Sequence, residues 1–165
     1  MAEPGKIALT IALAAFLISA AAAQTFYSPS GRFVLPAPLG NKLLHQCSRD
    51  APIGATEFWQ PSPKEVDELE ASLPKYLEKR HKAGKMVPAA GLYHRQYVGF
   101  VAGAQSAHPG ERFIYANFYP GSEIPATFDE SAQPMLICDG GSAFWGIVYR
   151  VSTKSFEAPK FNGVG

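Results

Sequence analysis

The stretch SPKEVDELEASLPKYLEKRHK, residues 62–82, contains the clearest helix signal in the chain. Ser62 can cap the helix, Pro63 suits the first helical position, and Glu65 completes a Ser-x-x-Glu capping box. Apolar residues then recur at helical spacing and form one stripe. This stripe consists of Val66, Leu69, Leu73, Tyr76 and Leu77. Acidic first turns, basic last turns and a stop at Gly84 complete the pattern, which predicts one long amphipathic helix.

Beyond residue 91 the hydrophobic period changes to two, which is typical of strands. One face of the first strand carries Leu92, His94, Gln96, Val98 and Phe100; the other carries Tyr93, Arg95, Tyr97 and Val101. A turn at 108–110 leads to an aromatic-rich strand at 112–119, so this pair is predicted to form a hairpin. Further strands are expected at 135–138, 143–151 and 155–161. Because their connections are too short for crossover helices, the sheet is predicted to be antiparallel.

The fold class that follows is α+β, with the long helix packed on a curled antiparallel sheet of four or five strands. The chain has 165 residues, which suits one domain. Residues 51–165 are predicted to form that domain, and residues 24–50 an extended lead-in.

The order of the elements resembles the cystatin and NTF2-like plan. The cystatin inhibitory signature, Gln-x-Val-x-Gly, is approached at Gln96-Tyr97-Val98, but it requires glycine where this chain has Phe100. The glycine stands at Gly99 instead. The resemblance therefore implies a fold plan and no inhibitory residues.

Charge and composition exclude several classes of protein. Lys and Arg number 15 against 14 Asp and Glu, a net charge of +1, which lacks the basic surface expected of a nucleic-acid-binding protein. A hydrophobic content of 47% argues against wholesale disorder.

The first 23 residues have the layout of a secretory signal peptide: Lys6, an apolar run from Ile7, and a small-x-small site ending at Ala23. Cleavage before Gln24 would yield a periplasmic or secreted protein. The alternative is an uncleaved membrane anchor.

Cys47 and Cys138 are the two cysteines of the chain. In an exported protein an even count predicts a disulfide. The alternative is a nucleophilic Cys138 with His94 or His45 as base and the amides of Gly140 and its neighbour as oxyanion donors. A half-cystine at a strand end, followed by a glycine turn, is the favoured interpretation.

No motif in the sequence predicts a metal or another cofactor. The histidines are scattered, and His-x-His, His-Glu-x-x-His and Cys-x-x-Cys are all missing. The Gly-x-Ser-x-Gly motif of serine hydrolases is missing as well.

A sheet face rich in tyrosine, tryptophan and arginine is the candidate binding surface, since these residues are enriched in recognition surfaces. Its proposed contact residues are Tyr93, Arg95, Tyr97, Asn117 and Trp145. The alternative is ordinary packing, with the lead-in or the loop at 120–132 folded over this face.

The combined hypothesis is an exported, disulfide-containing α+β binding module that recognises a protein partner or a small ligand and is not an enzyme. One alternative is a thiol-dependent hydrolase or transferase that uses Cys138 with a histidine base. Another is an accessory subunit of an envelope complex, held at the membrane by an uncleaved N-terminal helix.

The export and disulfide hypotheses are tested together by the intact mass of protein exported from its host, with thiol alkylation before and after reduction. We expect a mass lacking the first 23 residues and alkylation only after reduction. An uncleaved mass would contradict export into solution, and alkylation without reduction would leave Cys138 as a free thiol.

Overall fold

A computed structural model of the chain describes residues 28–52, 54–88 and 92–164, which form an α+β fold with a mixed sheet. The strands are β1 (Ser28–Val34), β2 (Ala55–Trp59), β3 (Leu92–Ala102), β4 (Arg112–Pro120), β5 (Trp145–Arg150), β6 (Ser155–Phe156) and β7 (Lys160–Phe161). The helices are α1 (Gly40–Leu44) and α2 (Pro63–Lys82), with 3₁₀ turns at Ala37–Leu39, Gly121–Glu123 and Gly141–Ala143. The proposed signal peptide, residues 1–23, lies outside the described residues.

The central strand β3 is long enough to pair with two strands along one edge. β1 runs parallel to its first half, with Val34 opposite Tyr97, and β2 runs antiparallel to its second half, with Trp59 opposite Gly99. β4 pairs with the other edge of β3, β5 follows β4, and β6 and β7 both pair with β5. Gly99 is required here, because a Cβ at this position would collide with the Trp59 ring.

The expectation of a wholly antiparallel sheet is wrong, because β1 and β3 are parallel. That expectation rested on the short connections between strands that follow one another. The chain between β1 and β3 instead contains α1, β2 and α2, which is ample length to return in the same direction.

Helix α2 carries the capping box indicated by its sequence. The Ser62 hydroxyl accepts from the Glu65 amide at 3.3 Å, and the Glu65 carboxylate accepts from the Ser62 amide at 2.9 Å. The helix continues through Pro74 and ends before Gly84, whose φ of 65° lies in the left-handed region. None of the helices in the described ranges has the length and apolarity needed to cross a membrane.

The apolar stripe of α2 packs on one side of the sheet, which we call the helix face. Trp145 is fully buried there, stacked on Phe118 with ring centroids 3.7 Å apart. The cluster consists of Val66, Leu69, Leu73, Leu77, Tyr93, Tyr97, Ile114, Ala116, Phe118, Trp145, Ile147 and Tyr149.

The opposite side, which we call the second face, is covered by the chain around α1. Leu35, Leu43 and Leu44 are buried against Val98, Phe100, Ala102, Phe113, Tyr115 and Val148. The described part of the predicted lead-in therefore contributes both a strand and core residues.

A buried ion pair links α2 to the sheet on the helix face. Arg95 has no exposed surface, and its guanidinium lies 2.6 Å from the Glu70 carboxylate. Tyr97 donates its hydroxyl to the same carboxylate. Burial by itself disfavours the arginine cation, but the hydrogen bond and charge of Glu70 outweigh that effect, so the pKa of Arg95 is raised.

We expect Trp145→Ala to lower the free energy of unfolding by about 3–5 kcal/mol, because the change leaves a large cavity under α2. Urea denaturation followed by circular dichroism measures the loss. The control is Met86→Ala, since Met86 is 65% exposed and its loss should change stability by less than about 0.5 kcal/mol. Equal stability of the two variants would contradict this packing.

Candidate functional site

The five predicted contact residues do not form an exposed surface. Tyr93, Arg95, Tyr97 and Trp145 lie beneath α2, and Asn117 is buried on the second face. The packing alternative expected the lead-in or the loop at 120–132 to cover these side chains, but four of the five are covered by α2. Period-two alternation indicates which side chains share a face, but it does not indicate which face the helix covers.

On the second face, side-chain amides hold an irregular stretch of chain, residues 130–139, which we call the crossing segment. Gln96 donates to two of its backbone oxygens at 2.6 and 2.7 Å and accepts from the Met135 amide at 2.7 Å. Asn117 donates to the Met135 oxygen at 3.0 Å. Asn162 donates to two further backbone oxygens of the segment at 2.6 and 3.1 Å. These amides supply the partners that a neighbouring strand would otherwise provide.

The prediction of a strand at 135–138 is therefore wrong, because these residues belong to the irregular crossing segment and form no strand. The end of this segment is fixed by a disulfide between Cys138 and Cys47, whose Cα atoms lie 4.9 Å apart. This confirms the predicted bridge. Cys138 is a half-cystine here, so the thiol-nucleophile alternative would require reduction of this bridge. The glycine turn that follows has Gly140 at φ 100°.

His94, the proposed catalytic base, binds a carboxylate instead of a thiol. Its Nδ1 lies 2.6 Å from a Glu130 oxygen, to which Tyr119 also donates at 2.9 Å. This contact joins β3 to the start of the crossing segment. His45, the other proposed base, is exposed, and its Nδ1 contacts the backbone oxygen of Asn41 at 2.7 Å. Among the described residues, no group of three or more His, Cys, Asp or Glu is placed to hold a metal ion.

Arg49 is a buried cation, and its partners within the described part of the chain are all neutral. Only 9% of its surface is exposed. Its guanidinium donates to the Tyr115 hydroxyl at 3.1 Å, to the Asn162 oxygen at 3.1 Å, and to the Asn117 oxygen. In the described ranges it forms no salt bridge. Burial lowers the pKa of Arg49, in contrast to Arg95 on the helix face, because no carboxylate offsets the cost of removing the cation from water.

A cavity of about 510 Å³ opens beside this cluster. We call it the Tyr115 cavity; its lining residues are Asp50, Ala51, Pro52, Tyr115, Gly146, Ile147, Val148, Glu157, Ala158 and Lys160. One wall follows directly after the Cys47 half-cystine and Arg49. The other wall is the chain between β6 and β7.

The second wall contains a bulge relative to β5. Tyr149 of β5 pairs with Phe156, and Gly146 pairs with Lys160. The two pairings are three residues apart on β5 but four residues apart on the partner chain. The partner chain therefore carries one extra residue between these pairings, and β-bulges of this kind are often found beside functional sites. Gly146 itself must lack a side chain, because a Cβ there would collide with the Tyr115 hydroxyl.

Charges of both signs stand at the mouth of the cavity. The Lys160 ammonium lies 3.6 Å from the Asp50 carboxylate, and both side chains are largely in solvent. Glu157 is exposed on the same wall, and its backbone amide donates to the Val148 oxygen at 3.0 Å. The walls thus offer exposed charges at the rim and apolar surface with one phenol deeper inside.

Sequence reasoning missed Arg49 and the cavity itself, and it did not include Tyr115 among the contact residues although this residue shares a strand face with Asn117. For Arg49 the available signal was its position two residues after a predicted half-cystine, where the backbone is held in place. Comparisons with protein-family models, curated proteins and solved structures found no match to this chain.

We expect Asn117→Ala to lower the free energy of unfolding by more than about 2 kcal/mol, because the Arg49 guanidinium and the Met135 oxygen both lose a buried partner. Chemical denaturation measures the change. Asn41→Ala, at an exposed position of α1, is the matched control and should be nearly neutral. A neutral Asn117→Ala would contradict the tethering role of this amide.

Proposed function

We propose that this protein is a non-catalytic binding module whose ligand occupies the Tyr115 cavity. The observation that carries the proposal is the cavity itself, about 510 Å³ in a covalently braced part of the second face. This volume falls within the range typical of sites for small molecules or short peptides. A small ligand or the terminus of a protein partner would fit it.

The walls of the cavity are held in place before any ligand arrives. The disulfide of Cys47 and the hydrogen bonds of Arg49 fix the wall at residues 50–52. The opposite wall is bonded to β5 and also to α2, through the Tyr76 hydroxyl, which donates to the Glu157 oxygen at 2.7 Å. A preformed site binds with a smaller ordering cost, which supports a binding role.

The chemistry of the lining favours binding over catalysis. The described residues that line the cavity include no serine, threonine, cysteine or histidine. The two carboxylates, of Asp50 and Glu157, stand in solvent at the rim. A nucleophile paired with a base, the usual requirement for group transfer, is therefore missing from this lining.

We further propose that the protein is exported to the periplasm or secreted. The disulfide is typical of oxidising compartments, and residues 1–23 have the pattern of a signal peptide. The accessory-subunit alternative depends on whether those residues are retained as an anchor. The similarity of element order to the cystatin and NTF2-like plan is likewise kept as a hypothesis about fold relationship.

Filling the cavity tests the proposal. We expect Ala158→Trp to abolish the binding of small fragments that shift the backbone amide resonances of Gly146 and Val148 in the wild-type protein. Ala158 is exposed on the cavity wall, so the indole can enter the space without disturbing the core. The measurement is a fragment screen by two-dimensional amide NMR.

The matched control is Ala126→Trp, which adds the same ring at an exposed loop position that does not line the cavity. This variant should bind the same fragments as the wild type. Fragments that shift residues elsewhere, or that bind Ala158→Trp equally well, would contradict the proposed site.

A further inference from the structure

We infer that the Tyr115 cavity selects ligands with a carboxylate on a short apolar body, and that the Tyr115 hydroxyl donates a hydrogen bond to that carboxylate. This inference rests on the proposed function, because it names the ligand class of the same cavity. Three features of the second face carry it: an uncompensated buried cation, a polarised phenol, and apolar walls.

The buried cation is Arg49. Charges inside proteins are normally paired with an opposite charge, because burial of an isolated ion is costly. Arg95 on the helix face follows this rule through Glu70 at 2.6 Å. Among the described residues, the partners of Arg49 are the oxygens of Tyr115, Asn117 and Asn162. A bound anion nearby would supply the charge that the described residues do not.

The Tyr115 hydroxyl lies between the Arg49 cation and the cavity lining. The Tyr115 hydroxyl accepts from Arg49 Nε at 3.1 Å, and the guanidinium also lies 5.9 Å from the ring centroid. In the described structure the hydroxyl makes no other hydrogen bond, so its own proton remains available to an acceptor. The hydroxyl lies against Gly146, a residue of the cavity lining.

Burial raises the pKa of Tyr115, with Arg49 acting in the opposite direction. The phenol therefore stays protonated at neutral pH and serves as a donor. A donor that itself accepts from a cation is strengthened by polarisation, and a bond to a charged acceptor is stronger than one to a neutral acceptor.

The rim carboxylates do not cancel this preference. Asp50 has 87% of its side chain exposed, and Glu157 is exposed as well, so water and salt screen both. Arg49 is screened far less because it is buried. Lys160 at the same rim adds a second cation that an entering carboxylate can contact.

A carboxylate fits better than a phosphate. Phosphate recognition typically uses two guanidinium nitrogens of one arginine in a bidentate contact. In Arg49 the two terminal nitrogens, Nη1 and Nη2, already donate to Asn162 and Asn117. One phenol and one flexible ammonium suffice for a carboxylate. Ala51, Pro52 and Val148 provide apolar surface for the rest of the ligand.

The test compares N-acetyl-leucine with N-acetyl-leucinamide, two probes of matched shape that differ in charge. Each is titrated at millimolar concentrations into the intact, disulfide-bonded protein, and the shifts of the Gly146 and Val148 amide resonances are followed by NMR. We expect the carboxylate probe to bind about tenfold or more tightly than the amide probe.

Tyr115→Phe removes the hydroxyl and keeps the ring, so the fold is preserved better than by any change at Arg49. We expect this variant to lose the tenfold preference while its affinity for the amide probe stays the same. Tyr93→Phe, which removes a hydroxyl on the helix face, is the matched control and should retain the preference.

The outcomes separate the two proposals. Equal binding of both probes, blocked by Ala158→Trp, would overturn the carboxylate preference and leave the cavity as a binding site. Retention of the preference in Tyr115→Phe would overturn the role of the phenol. If neither probe shifts the cavity resonances, the carboxylate inference fails; if the fragment screen also finds nothing there, the binding site fails with it.

Discussion

Strands β3 and β4 are buried on both faces and carry polar side chains into both buried layers, and the rest of the fold is arranged around those groups. Arg95 points beneath α2, whereas Gln96 and Asn117 lie under the crossing segment. Each would cost several kcal/mol if left without a partner in the interior. Helix α2 therefore contributes a carboxylate to one layer, and the crossing segment contributes backbone groups to the other. The covering elements are positioned by these bonds as well as by apolar contact.

The second face differs from the helix face in how its cover is built. A regular helix satisfies its own backbone hydrogen bonds, but the crossing segment does not, so side-chain amides bond to its backbone. The disulfide fixes the position of its end. In the chain-entropy model, closing a loop of 91 residues stabilises the fold by about 4–5 kcal/mol. The same covalent link orders the chain that carries Arg49. The disulfide that stabilises the second face therefore also fixes the residues beside the candidate binding site.

Two buried arginines at comparable depth have opposite electrostatic surroundings. Arg95 forms an ion pair with Glu70 that links α2 to the sheet, whereas Arg49, beside the cavity, is hydrogen-bonded to neutral oxygens and its buried charge is not paired among the described residues. Neutral dipoles can offset the desolvation of a cation without cancelling its field at longer range. This asymmetry between the two faces is the physical reason why we propose a structural role for the Arg95–Glu70 pair and ligand binding on the second face.

The sequence by itself determined the local features: the capping box and stripe of α2, the alternation of β3 and β4, and the cysteine pair. These depend on neighbours three or four residues apart, on period two, or on an even count of cysteines. It could not determine that β1 runs parallel to β3, nor that α2 covers the face with Trp145, because both depend on the direction in which distant segments return. Arg49, Tyr115 and Asn162 lie far apart along the chain, and Glu130 meets His94 from a loop. Only the tertiary structure brought them together, since long-range contact follows from packing and closure of the whole chain rather than from any local pattern.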